Sequence, residues 1–329
     1  YSRQDVELLV KLDTKLQFID LANVLAHSNT VLLPTTMGAV AQTDQAIINE
    51  AHRQGLIVPD KRYDRDTTQA AGAYVANPKK GMHKWVGSID LNSLYPSILR
   101  SGNMSTETII GQVRHTYTKE MIANAKTVAE AWEGRFATHE YEKVMEKDIV
   151  EKLYLDFENG DEFEATGAEI YELIFNSGQP WTISANGTIF SYEKKGVIPG
   201  LLERWYAERK ELQTKAREAR SGDDKEQFAF WDKRQLVKKI NLNSLYGALL
   251  NPGSRFFDSR LGQSTTLTGR VIARHMAAEL NKVIAGEYDY MGKAIVYGDT
   301  DSTYFSAYPI LKDQIKKGEI NWDKDNIIS

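Results

Sequence analysis

The sequence predicts a mixed α/β (α+β) fold in which an antiparallel sheet is joined to a long helical hairpin. Three observations predict it. Residues 82–90, "MHKWVGSID", and 294–305, "AIVYGDTDSTYF", alternate side chains with the period of strands. Residues 200–220 and 226–250 repeat apolar positions at helical spacing on either side of "SGDD" (221–224), the pattern of an αα-hairpin. Asn159-Gly160 in "KLYLDFENGDEFEATG" (152–167) joins two alternating runs, as a type I′ turn would.

Composition narrows the class. The 329 residues are 42% hydrophobic and 26% charged, ordinary for a soluble protein long enough for two or three domains. There is no cysteine, which excludes a disulfide framework and a thiolate zinc site and fits a cytoplasmic setting. No apolar run approaches the roughly 18 residues of a membrane span, so no membrane partner is expected. The opening "YSRQDVELLV" has neither an initiator Met nor a basic leader, so the chain is expected to start mid-gene. The net charge of −4 is uneven: 119–172 carries 15 acidic and 6 basic residues, a net −9 that leaves +5 on the rest. Basic residues gather in 203–220 and 231–239, as a solvated helix face or a nucleic-acid surface would have them.

Taken in order, residues 5–27 read as one long helix, and "RQGLIVPD" (53–60) as an extended connector closed by Pro59. In 82–90, Trp85, Gly87 and Ile89 alternate with Val86, Ser88 and Asp90, which puts Asp90 at the C-terminal end of a strand. Pro96 biases Tyr95 away from helical angles and suits a first helical turn, so "LNSLYPSILR" (91–100) reads as strand, tight turn, helix. The clustered acids of the 152–167 hairpin read as a solvated face in preference to a metal site. In the αα-hairpin, Glu211 precedes Lys215 by four residues, a supporting pair. After Pro252-Gly253 come a loop, a helix within 255–284, a β-hairpin at 294–305 and a polar, Lys-rich end.

Asp90, Asp299 and Asp301 stand out by position. If the two strand elements neighbour each other in one sheet, these acids converge, and hard divalent cations commonly use one or two carboxylates with substrate phosphates. Two such ions about 4 Å apart can clamp an in-line displacement at phosphorus. Ordinary turn chemistry at Gly298-Asp299 and an exposed strand residue at Asp301 is the competing interpretation. In "KKINLNSLYG" (238–247), Lys239, Asn243 and Tyr246 lie at i, i+4 and i+7 and share one helix face that offers a cation, an amide and a ring. Such a face suits triphosphate oxygens and a base. Arg209 on the preceding helix could add a guanidinium fork.

"DLNSLYPSI" (90–98), "KKINLNSLYG" (238–247) and "YGDTDS" (297–302) resemble, in order and separation, the A, B and C motifs of family B DNA polymerases. The surrounding sequence is most similar to replicative polymerases of large tailed phages, of T-even and cyanophage type, over nearly the whole chain apart from the acidic insertion. The resemblance implies a palm with an antiparallel sheet, helical-hairpin fingers and the tail of an exonuclease domain. Asp90 and Asp301 would ligate two Mg²⁺ ions, or Mn²⁺, with Asp299 beside them and Leu91 offering its carbonyl. Ser93, Leu94 and Tyr95 would hold the dNTP, Tyr95 lying under the sugar and rejecting a 2′-hydroxyl. Arg209 and Lys239 would bind the triphosphate, and Asn243, Tyr246 and Gly247 would shape the nascent base-pair pocket. "YSRQD" resembles the last part of the third exonuclease motif, with Asp5 its acid, although a lone acid in a helix's first turn describes its role in this chain better.

The domains implied are 1–60, the end of the exonuclease domain and a connector; 61–198, a first palm segment with an acidic insertion at about 119–172; 199–252, the fingers; and 253–329, an incomplete second palm segment without the thumb. Primer–template DNA, dNTP, a complementary polypeptide carrying the thumb and a sliding clamp would be partners, in a host cytoplasm if the gene is a phage's. The family's second basic residue, one turn after Arg209, is Gln213 here, and whether Lys210 or Lys215 substitutes is open. A tyrosine-glycine motif is reduced to "QAAGAYV" (69–75). Two other functions compete with DNA synthesis: a catalytically incomplete DNA- or partner-binding fragment, and a metal-dependent nuclease using the same acids.

Overall fold

The computed structural model describes residues 2–61, 72–115 and 152–319. Most of the acidic insertion, 119–151, therefore lies outside the described residues, as do 62–71 and 320–329. The architecture is mixed α/β with antiparallel sheets, and it divides into two compact units. One comprises Tyr1–Thr68, Leu99–Thr108 and Tyr192–Gly262; the other comprises Gln69–Ile98, Ile109–Ser191 and Gln263–Ser329. No helix among the described residues is long and apolar enough to cross a membrane.

The first unit is helical. Its frame is the antiparallel pair α6 (Val197–Ser221) and α7 (Lys225–Leu249), the αα-hairpin expected from sequence. Asp224 caps α7 by accepting from the Gln227 N–H at 3.0 Å, which satisfies one of the orphan donors of the first turn. The helix α6 begins at Gly196, which has no capping side chain, and its caps come from residues far back in the chain. Val197 N–H donates to Glu107 Oε1 at 2.6 Å and Gly196 N–H to Asn103 Oδ1 at 3.0 Å. A carboxylate at a helix N-terminus also meets the positive end of the macrodipole.

The N-terminal helices α1 (Ser2–Leu16), α2 (Phe18–Asn29) and α3 (Ala39–Arg53) precede this pair, and α2 and α3 pack on it. The single helix expected over 5–27 is thus two. Gln17 takes left-handed angles (φ 54°), and Asp13 Oδ1 accepts from the Ile19 N–H at 3.0 Å, so a side chain supplies a start for α2. The apolar spacing continues across the break and conceals it. Glu50 on α3 is buried and takes hydrogen bonds from Arg204 Nη2 (2.9 Å), Arg53 and Gln54. Burial pushes its carboxyl up, but the donated bonds of Arg53, Gln54 and Arg204 together outweigh that and hold it below the ordinary carboxylate range.

The second unit holds two sheets. Five strands run in the order β4 (Glu162–Thr166), β3 (Lys152–Phe157), β2 (Ile109–His115), β6 (Thr188–Ser191), β5 (Trp181–Ile183). Its apolar core includes Val113, Leu153, Leu155, Ile189 and the buried Ile170 from the short helix α5 (Gly167–Tyr171). The β3–β4 turn is not the expected type I′: Gly160 (φ 91°) has positive φ and Asn159 does not. Gly160 N–H donates to the Phe157 carbonyl and Phe157 N–H to the Asp161 carbonyl, so one extra residue follows an ordinary turn and only its last position needs glycine.

The smaller sheet runs β1 (Val86–Asp90), β8 (Ser302–Ser306), β7 (Ile295–Asp299), all antiparallel. The strand expected over 82–90 is shorter because Trp85 has φ 53°, which no strand tolerates. Helix α4 (Leu94–Ser101) follows β1, and α8 (Ser259–Ala285) and α9 (Tyr308–Lys316) complete the described chain. Tyr95, expected outside the helix, lies within α4. Ser93 makes the turn one residue earlier (φ 54°), and Pro96 then sits third in the helix, where a missing N–H costs no internal bond.

Candidate active site

Strand register in the second unit brings the three expected acids to neighbouring positions, although no group of three or more acids or histidines among the described residues is placed to hold a metal ion. Asp90 pairs with Ser302, and Ser302 pairs with Asp299 on the other side, so Asp90 and Asp299 flank Ser302 in one row of the sheet. Directly opposed residues share a face. Asp301 sits at the β7–β8 turn beside this row, its carbonyl accepting from the Leu91 N–H at 2.8 Å. Burial pushes the Asp301 carboxyl above the ordinary aspartate range, and the negative charges of Asp90 and Asp299 push it further.

The turn is held in a costly shape. Thr300, a β-branched residue, has φ 54°, a region such residues avoid. Its N–H donates to the Tyr74 carbonyl at 2.9 Å, and its hydroxyl donates to Asp299 Oδ1 at 2.9 Å. Residues 74–79 run alongside β7, with Ala76 N–H on the Gly298 carbonyl and Lys79 N–H on the Val296 carbonyl. Sequence reasoning missed this extra pairing. "QAAGAYV" has no clear alternation, and the segment is held by these backbone bonds together with the Tyr74 ring, which meets Tyr290 edge-on at 5.9 Å and lies under the Arg274 guanidinium. Left-handed Ser93 and Thr300 thus bracket the acids, the kind of strain that persists where surrounding bonds over-determine it.

Tyr95 stands next to the acids, and its ring packs on α8. A Cβ placed on Gly269 would come within 2.9 Å of Tyr95 Cε1. Burial raises the Tyr95 hydroxyl above the ordinary tyrosine range, and the charge of Asp301 raises it further. Leu94 is buried, with its side chain also against Gly269, so only its backbone faces outward. Arg270, not singled out from sequence, is close enough to Tyr95 for their charges to interact, and it donates to the Gly72 carbonyl at 3.2 Å. The available signal was Arg270 and Arg274 one turn apart on a helix that also bears Gly269.

In the first unit, Lys239, Asn243 and Gly247 form an exposed stripe at i, i+4 and i+8 on α7. The opposite face buries Val237, Asn241, Leu242 and Leu245. Neighbouring cations are engaged: Lys238 pairs with Glu208 at 2.6 Å and Lys233 pairs with Asp20. Lys239 has no ion pair among the described residues. Tyr246 is half-buried, and a Cβ on Gly247 would meet open space, so the fold itself does not demand glycine there. Arg209 donates to Gln235 Oε1 at 3.4 Å, a long bond that leaves most of its donors uncommitted. Of the two candidates to replace the basic residue at Gln213, Lys215 pairs with Glu211 at 2.7 Å and lies over the Trp231 ring, and Lys210 lies over the Tyr206 ring. Asp5 is exposed in the first turn of α1, apart from any acidic cluster among the described residues.

Residues 33–316 match the family described as DNA polymerase family B. The chain belongs to that family. Within family B it is 28% identical over 320 residues to the DNA-directed DNA polymerase of Escherichia phage RB69, covering 94% of this chain and 34% of that protein. It is 27% identical to the DNA-directed DNA polymerase of Enterobacteria phage T4, covering 95% of this chain and 35% of the relative. A DNA polymerase of Paramecium bursaria Chlorella virus NY2A is also 27% identical, over 92% of this chain and 27% of the relative. The fold is similar to that of the family B DNA polymerase of Pyrobaculum calidifontis, with a TM-score of 0.57 at 19% identity over 94% of this chain and 32% of that one. This family B chain therefore spans about a third of the length of such relatives.

Proposed function

We propose that this chain forms the catalytic part of a template-directed DNA polymerase of the phage replicative type, joining a deoxynucleoside triphosphate to a primer 3′-hydroxyl. The observation that carries this is the row Asp90–Ser302–Asp299 with the elevated Asp301 beside it, lying inside the span that matches family B. The similarity to the RB69 and T4 polymerases supports the phage type.

The residues present fit a pair of divalent cations. The charges of Asp90 and Asp301 repel each other, and neither acid has an ion pair among the described residues, a tension that a cation relieves. Mg²⁺ commonly takes one or two carboxylates and completes its shell with phosphates and water, and no larger group of ligating side chains is found among the described residues. When bound, such ions supply charge stabilisation at the attacking and leaving oxygens. Asp90 and Asp301 would hold them, with Asp299 shaping the local field and the Leu91 carbonyl a further oxygen. Tyr95, braced by Gly269, would lie under the sugar and exclude a 2′-hydroxyl, while Ser93 and the backbone of Leu94 would face the phosphates. Arg209 and Lys239 would neutralise the triphosphate, and Asn243, Tyr246 and Gly247 would border the base pair. In this assignment 61–198 and 253–329 belong to the palm, 199–252 to the fingers, and 1–60 to the end of an exonuclease domain in which Asp5 is a remnant.

A titration with a fluorescent deoxynucleoside triphosphate in Mg²⁺ tests this assignment. Binding should weaken at least about tenfold in Lys239→Ala and in Asp301→Asn, a loss on the scale of one charge-assisted contact. A nuclease using the same acids would have no need of Lys239 or Tyr95, and metal-dependent cleavage of DNA without triphosphate binding would establish it instead.

A further inference from the structure

The hairpin of the first unit carries a second feature that the acids and the Lys239 face do not use. Between α6 and α7, from Lys210 toward the connecting turn, lies a cleft of about 620 Å³. Arg209, Gln213 and Arg217 follow one another at i, i+4 and i+8 along α6, and Arg220 extends this stripe by one turn. Gln213, Arg217 and Arg220 line the cleft with Lys210, while α7 contributes Phe228, Gln235 and one acid, Asp232. A polar relay joins the cleft to Arg209: Gln235 accepts from Arg209 at 3.4 Å and donates to Asp232 at 2.9 Å.

The cations here are lightly held. Arg217 is exposed, and its bonds go to the Thr214 hydroxyl and the Gln213 carbonyl of its own helix. Arg220 is exposed and lies 5.8 Å from the Phe228 ring centre. Neither is committed to an acid among the described residues, so both can turn to an incoming anion at small cost.

We propose that this cleft binds single-stranded DNA, with phosphates on Lys210, Arg217 and Arg220 and a base stacked on Phe228. Two features favour a strand over a second nucleoside triphosphate. The cations are strung along the helix from Lys210 to Arg220, about 15 Å at 1.5 Å per residue, instead of gathered at one point. That length matches roughly four stacked nucleotides at 3.4 Å per phosphate along one strand. A basic groove with an aromatic platform is the arrangement by which single strands are bound without sequence preference. The site uses none of the acids Asp90, Asp299 and Asp301 and does not depend on nucleotidyl transfer.

The test is fluorescence anisotropy of a 5′-fluorescein-labelled twelve-residue oligothymidylate with the whole chain, in EDTA, across a salt series. Arg217→Ala/Arg220→Ala should weaken binding about tenfold and reduce the slope of log affinity against log salt by about 1.4, two contacts at roughly 0.7 each. Phe228→Leu, which keeps apolar bulk and removes the ring face, should weaken binding about fivefold or more. Lys225→Ala removes a charge on the same hairpin outside the cleft and should change affinity less than twofold. Equal thermal melting of the variants establishes that the fold is intact. An unchanged affinity and salt slope in the double variant, or an equal loss in Lys225→Ala, overturns the proposal. So does a cleft that binds inorganic pyrophosphate in an Arg217- and Arg220-dependent manner but not the oligonucleotide.

Discussion

The N–H of Leu91 donates to the carbonyl of Asp301 at 2.8 Å, tying the segment after β1 to the turn between β7 and β8 across 210 residues of sequence. This bond extends the β1–β8 ladder by one step beyond the Asp90–Ser302 pair and fixes where the acid-bearing turn lies relative to Asp90. Two segments that each look like local turn chemistry are held side by side by a backbone contact.

Removing one acid should lower the pKa of another. Burial and the charges of Asp90 and Asp299 place the native Asp301 pKa above its unfolded value. Its ionisation therefore costs stability at neutral pH, a cost that disappears as pH falls through the native value toward the unfolded one. In Asp90→Asn the Asp301 carboxyl should titrate at lower pH, and stability at pH 7 should rise by about 0.5 kcal/mol, the scale of one partly exposed charge pair. Carboxyl-carbon NMR titration and thermal melting measure the two effects, while Mg²⁺-dependent nucleotide binding should fall.

Gly269→Ala should disturb the pocket around Tyr95 without touching an acid. Alanine would ordinarily gain about 1 kcal/mol of helix propensity over glycine, but its Cβ would lie 2.9 Å from Tyr95 Cε1 and force the ring to move. If Tyr95 lies under the sugar, the ratio of deoxyribonucleotide to ribonucleotide binding should change in Gly269→Ala in the same direction as in Tyr95→Ala. An unchanged ratio in both variants, measured by competition titration, would remove Tyr95 from that role.

The Glu50 cluster should make the helical unit acid-sensitive. Its native pKa lies below the unfolded value because the bonds from Arg53, Gln54 and Arg204 outweigh the burial that raises it. Its contribution is therefore present above the unfolded carboxylate range and is lost as pH falls through the depressed native value. Glu50→Ala should cost about 2–4 kcal/mol at pH 7, slightly under the range for a fully buried broken pair because Arg204 is partly exposed. Denaturant unfolding at pH 7 and pH 3 should show the difference between wild type and variant shrinking at the lower pH.

Gly111→Ala should damage the five-stranded sheet. A Cβ there would stand 2.2 Å from the Asp156 carbonyl oxygen, a backbone atom that cannot rotate away, at the point where the β2–β6 register shifts. A loss of more than about 3 kcal/mol, above the usual cost of an overpacked core, is expected in thermal or urea unfolding.

Much of the candidate site was legible from local pattern. Asp90 at a strand end, the acids around Gly298, and the Lys239 and Asn243 stripe are all visible in stretches shorter than a dozen residues, because strand alternation and helical spacing are local properties. The αα-hairpin was legible for the same reason, with polar "SGDD" between two long periodic runs. The break at Gln17 was not, since the Asp13 side chain that caps the next helix leaves apolar spacing unchanged. Nor was the helical placement of Tyr95, where left-handed Ser93 moved the helix start ahead of Pro96.

By itself the sequence determined the family, the identities of the acids and cations, and which helix face each cation occupies. Tertiary structure alone decided that Asp90, Ser302 and Asp299 stand in one row, that Tyr74 holds the strained Thr300, that Glu107 caps a helix starting 90 residues later, and that Gly269 braces Tyr95. The physical reason is that register, remote capping and close approach are relations between segments far apart in the chain. They are set by which backbone donors and acceptors are left to be satisfied once the elements pack, and no local run of residues encodes that outcome.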